Sequence, residues 1–236
     1  MRGTKDGEIA PSVTSLPSSE TTPSVDTTLS GTTETSLPRL SLTQPNFLSL
    51  DTETVTPEAL RTELLKTATA VKDQNLSGAV EFLVRDQNYN PLAFSRFAYL
   101  AKLDLPSTLI SQLDETFSLF VYIDQSRPRL GLSLSAKDPI LFQSELAKAE
   151  KSFPQDLSPL FVDTTTAVKL GLVFKSGTYK NLATRFANVD AGMNLSIDYA
   201  VDGNQWMVGT TRDTLRGIVD KYLALPPKDL KTPLTP

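Results

Sequence analysis

The chain contains no cysteine and no histidine among its 236 residues. These absences exclude cysteine nucleophiles, serine–histidine–aspartate triads, histidine or cysteine zinc sites, and thiol redox chemistry. Any catalysis would depend on carboxylates, lysine, tyrosine, serine or threonine. Because disulfides are also excluded, the sequence does not distinguish an oxidising from a reducing compartment. We predict no cofactor.

Long apolar runs and concentrated positive charge are missing as well. No run approaches the ~20 apolar residues that span a bilayer, and residues 1–8 lack the apolar core of a secretory signal. The formal net charge is −4, and lysine and arginine form no stripe, which argues against nucleic acid as a partner. We therefore expect either a cytoplasmic protein or a domain whose membrane anchor is not part of this sequence.

The composition changes sharply near residue 48. Residues 11–36 are mostly serine and threonine, and no aromatic residue precedes Phe47. Such a segment cannot offset the backbone entropy that is lost on folding. It is typical of a stalk that holds a domain away from a surface, although a dispensable tail has the same composition. We predict three segments: a disordered linker (1–48), one domain (49–225) and a disordered tail (226–236).

Within the predicted domain, apolar residues recur at both helix and strand spacing. Thr56-Pro57 and Asp138-Pro139 each supply an N-cap followed by proline at the first helical position. Residues 117–123 are apolar on both faces, as in a central strand. Together these patterns predict an α+β domain with a mainly antiparallel sheet and helices packed on one face.

Two further patterns lie in the second half of the domain. Alternating apolar residues across 168–174 predict a strand. Ser176-Gly177 predicts a turn that leads into another strand over residues 179–187.

The last hairpin and helix have the clearest local signals. Asp202-Gly203 predicts a tight turn, and the strand after it carries the only tryptophan, Trp206. Thr210 and Asp213 are spaced as a capping box for the final helix.

Two segments, 117–152 and 195–223, share the order strand, turn, strand, helix. An internal duplication of a β-β-α unit would explain this order. Two independent uses of a common local arrangement would explain it equally well.

Polar residues offer few candidates for chemistry. Asp86, Asn88 and Asn90 match the opening of a calcium-binding loop, but Pro91 stands where the turn glycine belongs, which favours an Asx turn. Basic residues on separate predicted elements could line an anion site, but no fixed relation between them can be derived: Arg85, Arg96, Lys180 and Arg185.

The acidic residues near the last hairpin are explained by structure. Asp202 belongs to the turn and Asp213 to the helix cap, while Asp198 is expected to face solvent. We therefore predict no catalytic residue, no cofactor site and no metal site. Trp206 and Tyr199 form a candidate contact surface if the tryptophan faces outwards, and part of the core if it faces inwards.

Several segments carry a resemblance to known proteins: 117–124, 129–132, 176–179, 184–189, 195–201 and 207–216. Over about residues 50–225 the chain resembles uncharacterised membrane-anchored envelope proteins of candidate-phyla-radiation bacteria. In that group a soluble α+β domain follows a Pro/Ser/Thr-rich linker. The resemblance implies an extracytoplasmic location and an N-terminal anchor outside this sequence. It implies no activity and no site residues.

Our leading hypothesis is a non-catalytic, extracytoplasmic binding or structural module on a flexible stalk. Its expected partner is an envelope protein, an envelope glycan or a second copy, with membrane contact only through the anchor. Two alternatives stay open. One is a carboxylate-based hydrolase acting on envelope glycans, which requires two facing acids without structural roles. The other is a cytoplasmic assembly factor with a disordered tail.

Overall fold

The computed structural model of this protein describes residues 39–164 and 167–224. Most of the predicted linker and the whole of the predicted tail, 226–236, lie outside the described residues.

The described residues form eight strands and six α-helices. The strands are β1 (Asn46–Leu50), β2 (Val80–Asp86), β3 (Leu113–Asp124), β4 (Arg127–Ala136), β5 (Lys175–Tyr179), β6 (Leu182–Asp190), β7 (Leu195–Asp202) and β8 (Gln205–Gly209). The helices are α1 (Pro57–Asp73), α2 (Phe94–Leu100), α3 (Ser107–Ile110), α4 (Pro139–Ala149), α5 (Phe153–Asp156) and α6 (Arg212–Ala224). A short 3₁₀ helix covers Ser158–Leu160. None of the helices in this part of the chain combines the length and apolar character needed to cross a bilayer.

All eight strands belong to one sheet, in the order β1-β2-β3-β4-β8-β7-β6-β5. Only β1 and β2 pair in parallel, and α1 makes the crossover between them. Every other pair of neighbours is antiparallel. The predicted α+β class with a mainly antiparallel sheet is confirmed.

Two helix starts are confirmed as predicted. The Thr56 hydroxyl accepts a hydrogen bond from the Ala59 amide at 3.2 Å, and Pro57 is the first residue of α1. The Asp138 carboxylate accepts from the amides of the second and third residues of α4. These caps satisfy backbone donors that have no partner inside the helix.

The helices do not all pack on one face, contrary to the prediction. The buried side chains of α1 to α5 pack with sheet residues such as Leu119 and Trp206 in one core. The stripe of α6 packs with Phe120 and Met207 in a second core. Because neighbouring residues of a strand point to opposite faces, these two cores lie on opposite sides of the sheet. The alternating pattern of a strand indicates which residues share a face, but not which helix covers it.

The proposed internal duplication is not confirmed. The β3-β4-α4 and β7-β8-α6 segments do have the same order, and β4 pairs with β8 antiparallel. In an antiparallel pair, the two-fold axis that exchanges the two strands is perpendicular to the sheet. Rotation about this axis leaves each face of the sheet on the same side. The two helices would then share a face, whereas α4 and α6 pack in opposite cores.

One predicted strand and one predicted turn in the second half are wrong. Residues 168–174 are not a strand, and the chain turns there at Gly171, whose φ is +75°. Ser176 and Gly177 lie inside β5, and the actual turn consists of Lys180 and Asn181, with φ of +48° and +68°. Both residues adopt left-handed backbone without glycine, so the usual turn signal is absent there.

The predicted domain boundary at residue 48 is also shifted. Strand β1 begins at Asn46, inside the predicted linker, and pairs with β2. Leu48 and Leu50 are buried in the core that α1 shares. Two leucines separated by one serine are too weak a pattern to identify a strand without its neighbour.

Helix α6 rests on two glycines that pair across β4 and β8. A Cβ on Gly209 would lie 2.5 Å from the Leu215 backbone nitrogen. A Cβ on Gly131 would lie 2.4 Å from Ile218 Cδ1 of α6 and 2.6 Å from the Val208 carbonyl oxygen of β8. Glycine at these two positions therefore lets α6 and the neighbouring strands approach one another closely.

Replacing Gly209 with alanine is expected to lower the free energy of unfolding by about 1–3 kcal/mol or more, because the methyl group overpacks the helix–sheet contact. Urea denaturation followed by the fluorescence of Trp206 measures the loss. Gly192→Ala is the control: an added Cβ there approaches only the Asp190 carboxylate, at 3.4 Å. We expect a change within about 0.5 kcal/mol for the control. Equal stabilities of the two variants would contradict this packing.

Candidate functional site

The structure places Trp206 in the core and not at a contact surface. Its side chain is completely buried, with ring centroids 5.6 Å from Phe142 and 5.8 Å from Phe153. Helix α4 and residues after it cover the strand on which the tryptophan lies. Tyr199 is also largely buried. It nevertheless borders an open groove, so only Tyr199 of the predicted pair reaches a candidate site.

This α4 groove lies between α4 and the strands β6 and β7. Its volume is about 400 Å³. One wall is helical and the floor is sheet, and the lining residues are Gln143, Leu146, Ala147, Glu150, Ala183, Arg185, Tyr199 and Val201. The apolar part of the lining includes the small side chains of Ala147, Ala183 and Val201.

A hydrogen-bonded trio occupies the groove. The Arg185 guanidinium donates from Nε to Glu150 Oε1 at 2.8 Å and from Nη2 to Glu150 Oε2 at 2.7 Å. The Tyr199 hydroxyl donates to Glu150 Oε1 at 2.5 Å. Bidentate pairing between arginine and carboxylate fixes the plane of both groups. The trio is therefore held in one geometry before any ligand arrives.

The protonation states of the trio follow from these contacts. The hydrogen bonds from Arg185 hold the pKa of Glu150 below its ordinary value, although burial opposes them. Burial raises the pKa of Tyr199, and the bond to Glu150 raises it further. At neutral pH, Glu150 is ionised, Tyr199 is protonated and Arg185 is charged. A carboxylate held in this way is a poor general base.

Arg185 keeps hydrogen-bonding capacity for a ligand. A guanidinium has five N–H donors. Two bind Glu150, and Nη1 donates a third to Ser176 Oγ at 2.8 Å. The Arg185 side chain is 35% exposed and also interacts with the Tyr199 hydroxyl, so part of the guanidinium is accessible to an acceptor that enters the groove.

The other three basic candidates do not join Arg185. Lys180 pairs with Asp220 at 2.8 Å. Arg85 stacks against the rings of Phe47 and Tyr89, and Arg96 against Tyr99. Of the four basic candidates, only Arg185 lines the groove. The four residues therefore do not form a shared anion site.

The Asp86 loop is an Asx turn, as predicted. Asp86 Oδ1 accepts from the amides of Asn88 at 2.8 Å and Asn90 at 2.9 Å. The Asn90 side-chain amide also donates to the carboxylate, at 3.1 Å. This bond first, and then the bonds from the two backbone amides, hold the pKa of Asp86 below its ordinary value. Across residues 39–164 and 167–224, no group of three or more acidic side chains is arranged to hold a metal ion.

Asp198 is buried, whereas it was expected to face solvent. It does lie on the sheet face opposite Ile197, but α6 covers that face, and only 3% of the residue is exposed. Ser196 donates a hydrogen bond to its carboxylate. Burial raises the pKa of Asp198 to about 6, although Arg212 and Arg216 on α6 oppose the shift.

The cap of α6 differs from the predicted capping box by one residue. The Thr211 hydroxyl accepts from the Thr214 amide at 3.1 Å. The Thr210 hydroxyl instead bonds the Leu130 carbonyl oxygen at 2.9 Å, on a neighbouring strand. Asp213 forms an exposed ion pair with Arg216. Thr210 and Thr211 both have a hydroxyl that could cap the helix. Thr211 is the cap because the Thr210 hydroxyl is bonded to Leu130 on the neighbouring strand.

No pattern in the sequence indicates Glu150 as a site residue. It lies just after the last residue of α4, and its partners Arg185 and Tyr199 are 35 and 49 residues further along the chain. A pattern within a few residues cannot show that the end of α4 contacts β6 and β7. Comparisons of the chain with protein-family models, curated proteins and solved structures found no match.

Proposed function

We propose that this protein is a non-catalytic binding module of the cell envelope, and that it captures its ligand in the α4 groove. The serine- and threonine-rich composition of residues 11–36 supports a stalk that holds the domain away from a surface. The resemblance to membrane-anchored envelope proteins supports an extracytoplasmic location.

One observation carries the proposal: the groove is open and its polar groups are already ordered. Arg185 is fixed by both oxygens of Glu150 and by Ser176. A ligand that binds such a group does not have to order a flexible side chain, so less conformational entropy is lost on binding.

The chemistry of the groove favours a ligand that carries both a carboxylate and small apolar groups. The exposed part of the Arg185 guanidinium suits a carboxylate oxygen. The methyl and isopropyl groups of Ala147, Ala183 and Val201 suit an alkyl substituent. Peptide-bearing fragments of an envelope glycan combine these features, and so does the end of a peptide chain.

The groove does not favour the hydrolase alternative. Glycoside hydrolysis requires two carboxyl groups that face one bond. Glu150 is the single carboxylate that lines the groove, and it is neutralised by Arg185. Asp198 lies on the opposite face of the sheet, beneath α6.

Two-dimensional amide NMR of the full chain, titrated with soluble peptidoglycan fragments, tests the proposal. We expect saturable shifts at the residues that line the groove. Ala147→Trp fills the groove from the exposed side of α4 and is expected to weaken binding at least about tenfold, because the contacts of the floor are lost.

Ser144→Trp is the matched control, since Ser144 is exposed on the same helix but does not line the groove. This variant should bind as the original chain does. An absence of shifts with the peptidoglycan fragments, or equal weakening by the two tryptophans, would argue against the α4 groove as the ligand site.

A further inference from the structure

An apolar loop projects from the domain and leads into the first residue of the edge strand β5. We use this name for residues 169–175. Leu170 is 87% exposed and Val173 is 78% exposed, among the most exposed large apolar side chains of the described residues. Because both belong to one short loop, one apolar environment could cover them together.

The apolar loop is held in place at both ends. The Gln155 side-chain amide donates to the Lys169 carbonyl oxygen at 2.7 Å. Phe174 is buried, with ring centroids 5.6 Å from Tyr199 and 6.4 Å from Phe153. Between these anchors the positive φ of Gly171 reverses the chain. The two apolar side chains thus project from a fixed base.

The charge around the apolar loop is entirely positive along the sequence. Residues 164–189 include four cationic residues and no aspartate or glutamate, in a chain with a net charge of −4. Lys180 and Arg185 are paired with Asp220 and Glu150. Within the described part of the chain, Lys169 and Lys175 form no ion pair.

We propose that the apolar loop docks the domain on an anionic lipid surface. Leu170 and Val173 enter the boundary between headgroups and acyl chains. Lys169 and Lys175 flank them at the level of the headgroups. Apolar burial and attraction to anionic lipid act together in such contacts, and each lysine near the surface strengthens the attraction.

The shape and charge of the apolar loop favour lipid over a protein partner. A protein would need a pocket that accepts two projecting side chains and carries negative charge at its rim. A bilayer accepts them without a shaped pocket, and its anionic headgroups complement the two unpaired lysines. This inference is independent of ligand binding in the α4 groove, and it replaces the expectation that the membrane is contacted only through an anchor.

Flotation of the full chain with vesicles tests the inference. Vesicles of phosphatidylglycerol and phosphatidylcholine at a ratio of about 1:3 should bind the chain, and added salt should weaken the binding because it screens the lysines. Leu170→Ser with Val173→Ser is expected to lower the partition coefficient at least about tenfold, since the inserted area is lost. Lys169→Gln with Lys175→Gln should reduce binding and its salt dependence.

Two control variants test whether binding depends on the side chains of the apolar loop. Ile140→Ser removes an apolar side chain that is 82% exposed but lies on α4, and Lys66→Gln removes a charge on α1. Both should bind as the original chain does. The inference is overturned if the unmodified chain does not bind the anionic vesicles, or if the serine variant binds as well as it does. A thermal melt establishes that each variant is folded.

Discussion

Replacing Arg129 with methionine is expected to lower the free energy of unfolding by about 3–5 kcal/mol. Only 1% of Arg129 is exposed, on strand β4. Removing one partner from a buried ion pair leaves the other charge without compensation. Methionine retains most of the apolar volume, so the expected loss reflects the missing charge and hydrogen bonds.

The contacts of Arg129 explain why the effect should be large. Nη1 donates to both carboxylate oxygens of Asp163, at 3.0 Å and 2.9 Å, and Nη2 donates to the Met193 carbonyl oxygen at 2.8 Å. One side chain therefore fixes two connections, the one after the 3₁₀ helix and the one between β6 and β7. These segments are 34 and 64 residues away in sequence.

A second substitution separates the charge from the packing. Adding Asp163→Asn to Arg129→Met should recover part of the stability, because no uncompensated charge is then buried. Lys148→Met is the control, since the Lys148–Glu145 pair lies at the surface and such pairs contribute at most about 1 kcal/mol. Urea denaturation followed by Trp206 fluorescence compares the variants. A loss for Arg129→Met no larger than that of Lys148→Met would contradict the prediction.

Replacing Asp198 with asparagine is expected to stabilise the protein at neutral pH by up to about 3 kcal/mol. The ordinary pKa of 3.8 rises to about 6 in the folded protein. A difference of about two pKa units corresponds to about 3 kcal/mol. The shift means that the fold favours the protonated carboxyl, and ionisation of Asp198 beneath α6 is unfavourable.

The direction of the pH dependence follows from proton binding. Between pH ~4 and ~6 the folded chain binds more protons at Asp198 than the unfolded chain, so the contribution of Asp198 to stability falls as pH rises. Below pH ~4 both states are protonated there. The gain from Asp198→Asn should therefore be small at pH ~4 and reach its full size above pH ~6.

Asp213→Asn is the matched control for the charge. It removes an acid from the same helix–sheet region, but Asp213 is exposed and pairs with Arg216. We expect this control to change stability by no more than about 0.5 kcal/mol, since surface substitutions have small effects. Chemical denaturation of both variants from pH 4 to pH 8 measures the profiles. A gain that does not vary with pH, or a loss at pH 7, would show that the asparagine acts through packing or hydrogen bonding.

Local chemistry was enough to predict several features. Thr56 and Asp138 cap α1 and α4 as expected, because a cap involves only the next three residues. The turn after Asp202 is in place, with Gly203 at a φ of +59°. The Asp86 loop was correctly identified as an Asx turn for the same reason.

Other predictions failed where distant contacts decide. Thr210 has the chemistry of a cap, but a hydrogen bond to Leu130, 80 residues away, occupies it. Asp198 has the spacing of an exposed residue, but α6 covers its face of the sheet. The Lys180–Asn181 turn carries no glycine, and its position follows from the pairing of β5 with β6.

The α+β class, the antiparallel character of the sheet and the starts of two helices could be predicted from the sequence, because they depend on periodicity and on neighbours within a few residues. The folded chain was needed to show that α6 covers the second face and that Glu150, Arg185 and Tyr199 meet in a groove. A strand pattern alternates in the same way whichever helix packs on it. Contacts between residues 35 or more positions apart arise from the order of the strands, which no local pattern encodes.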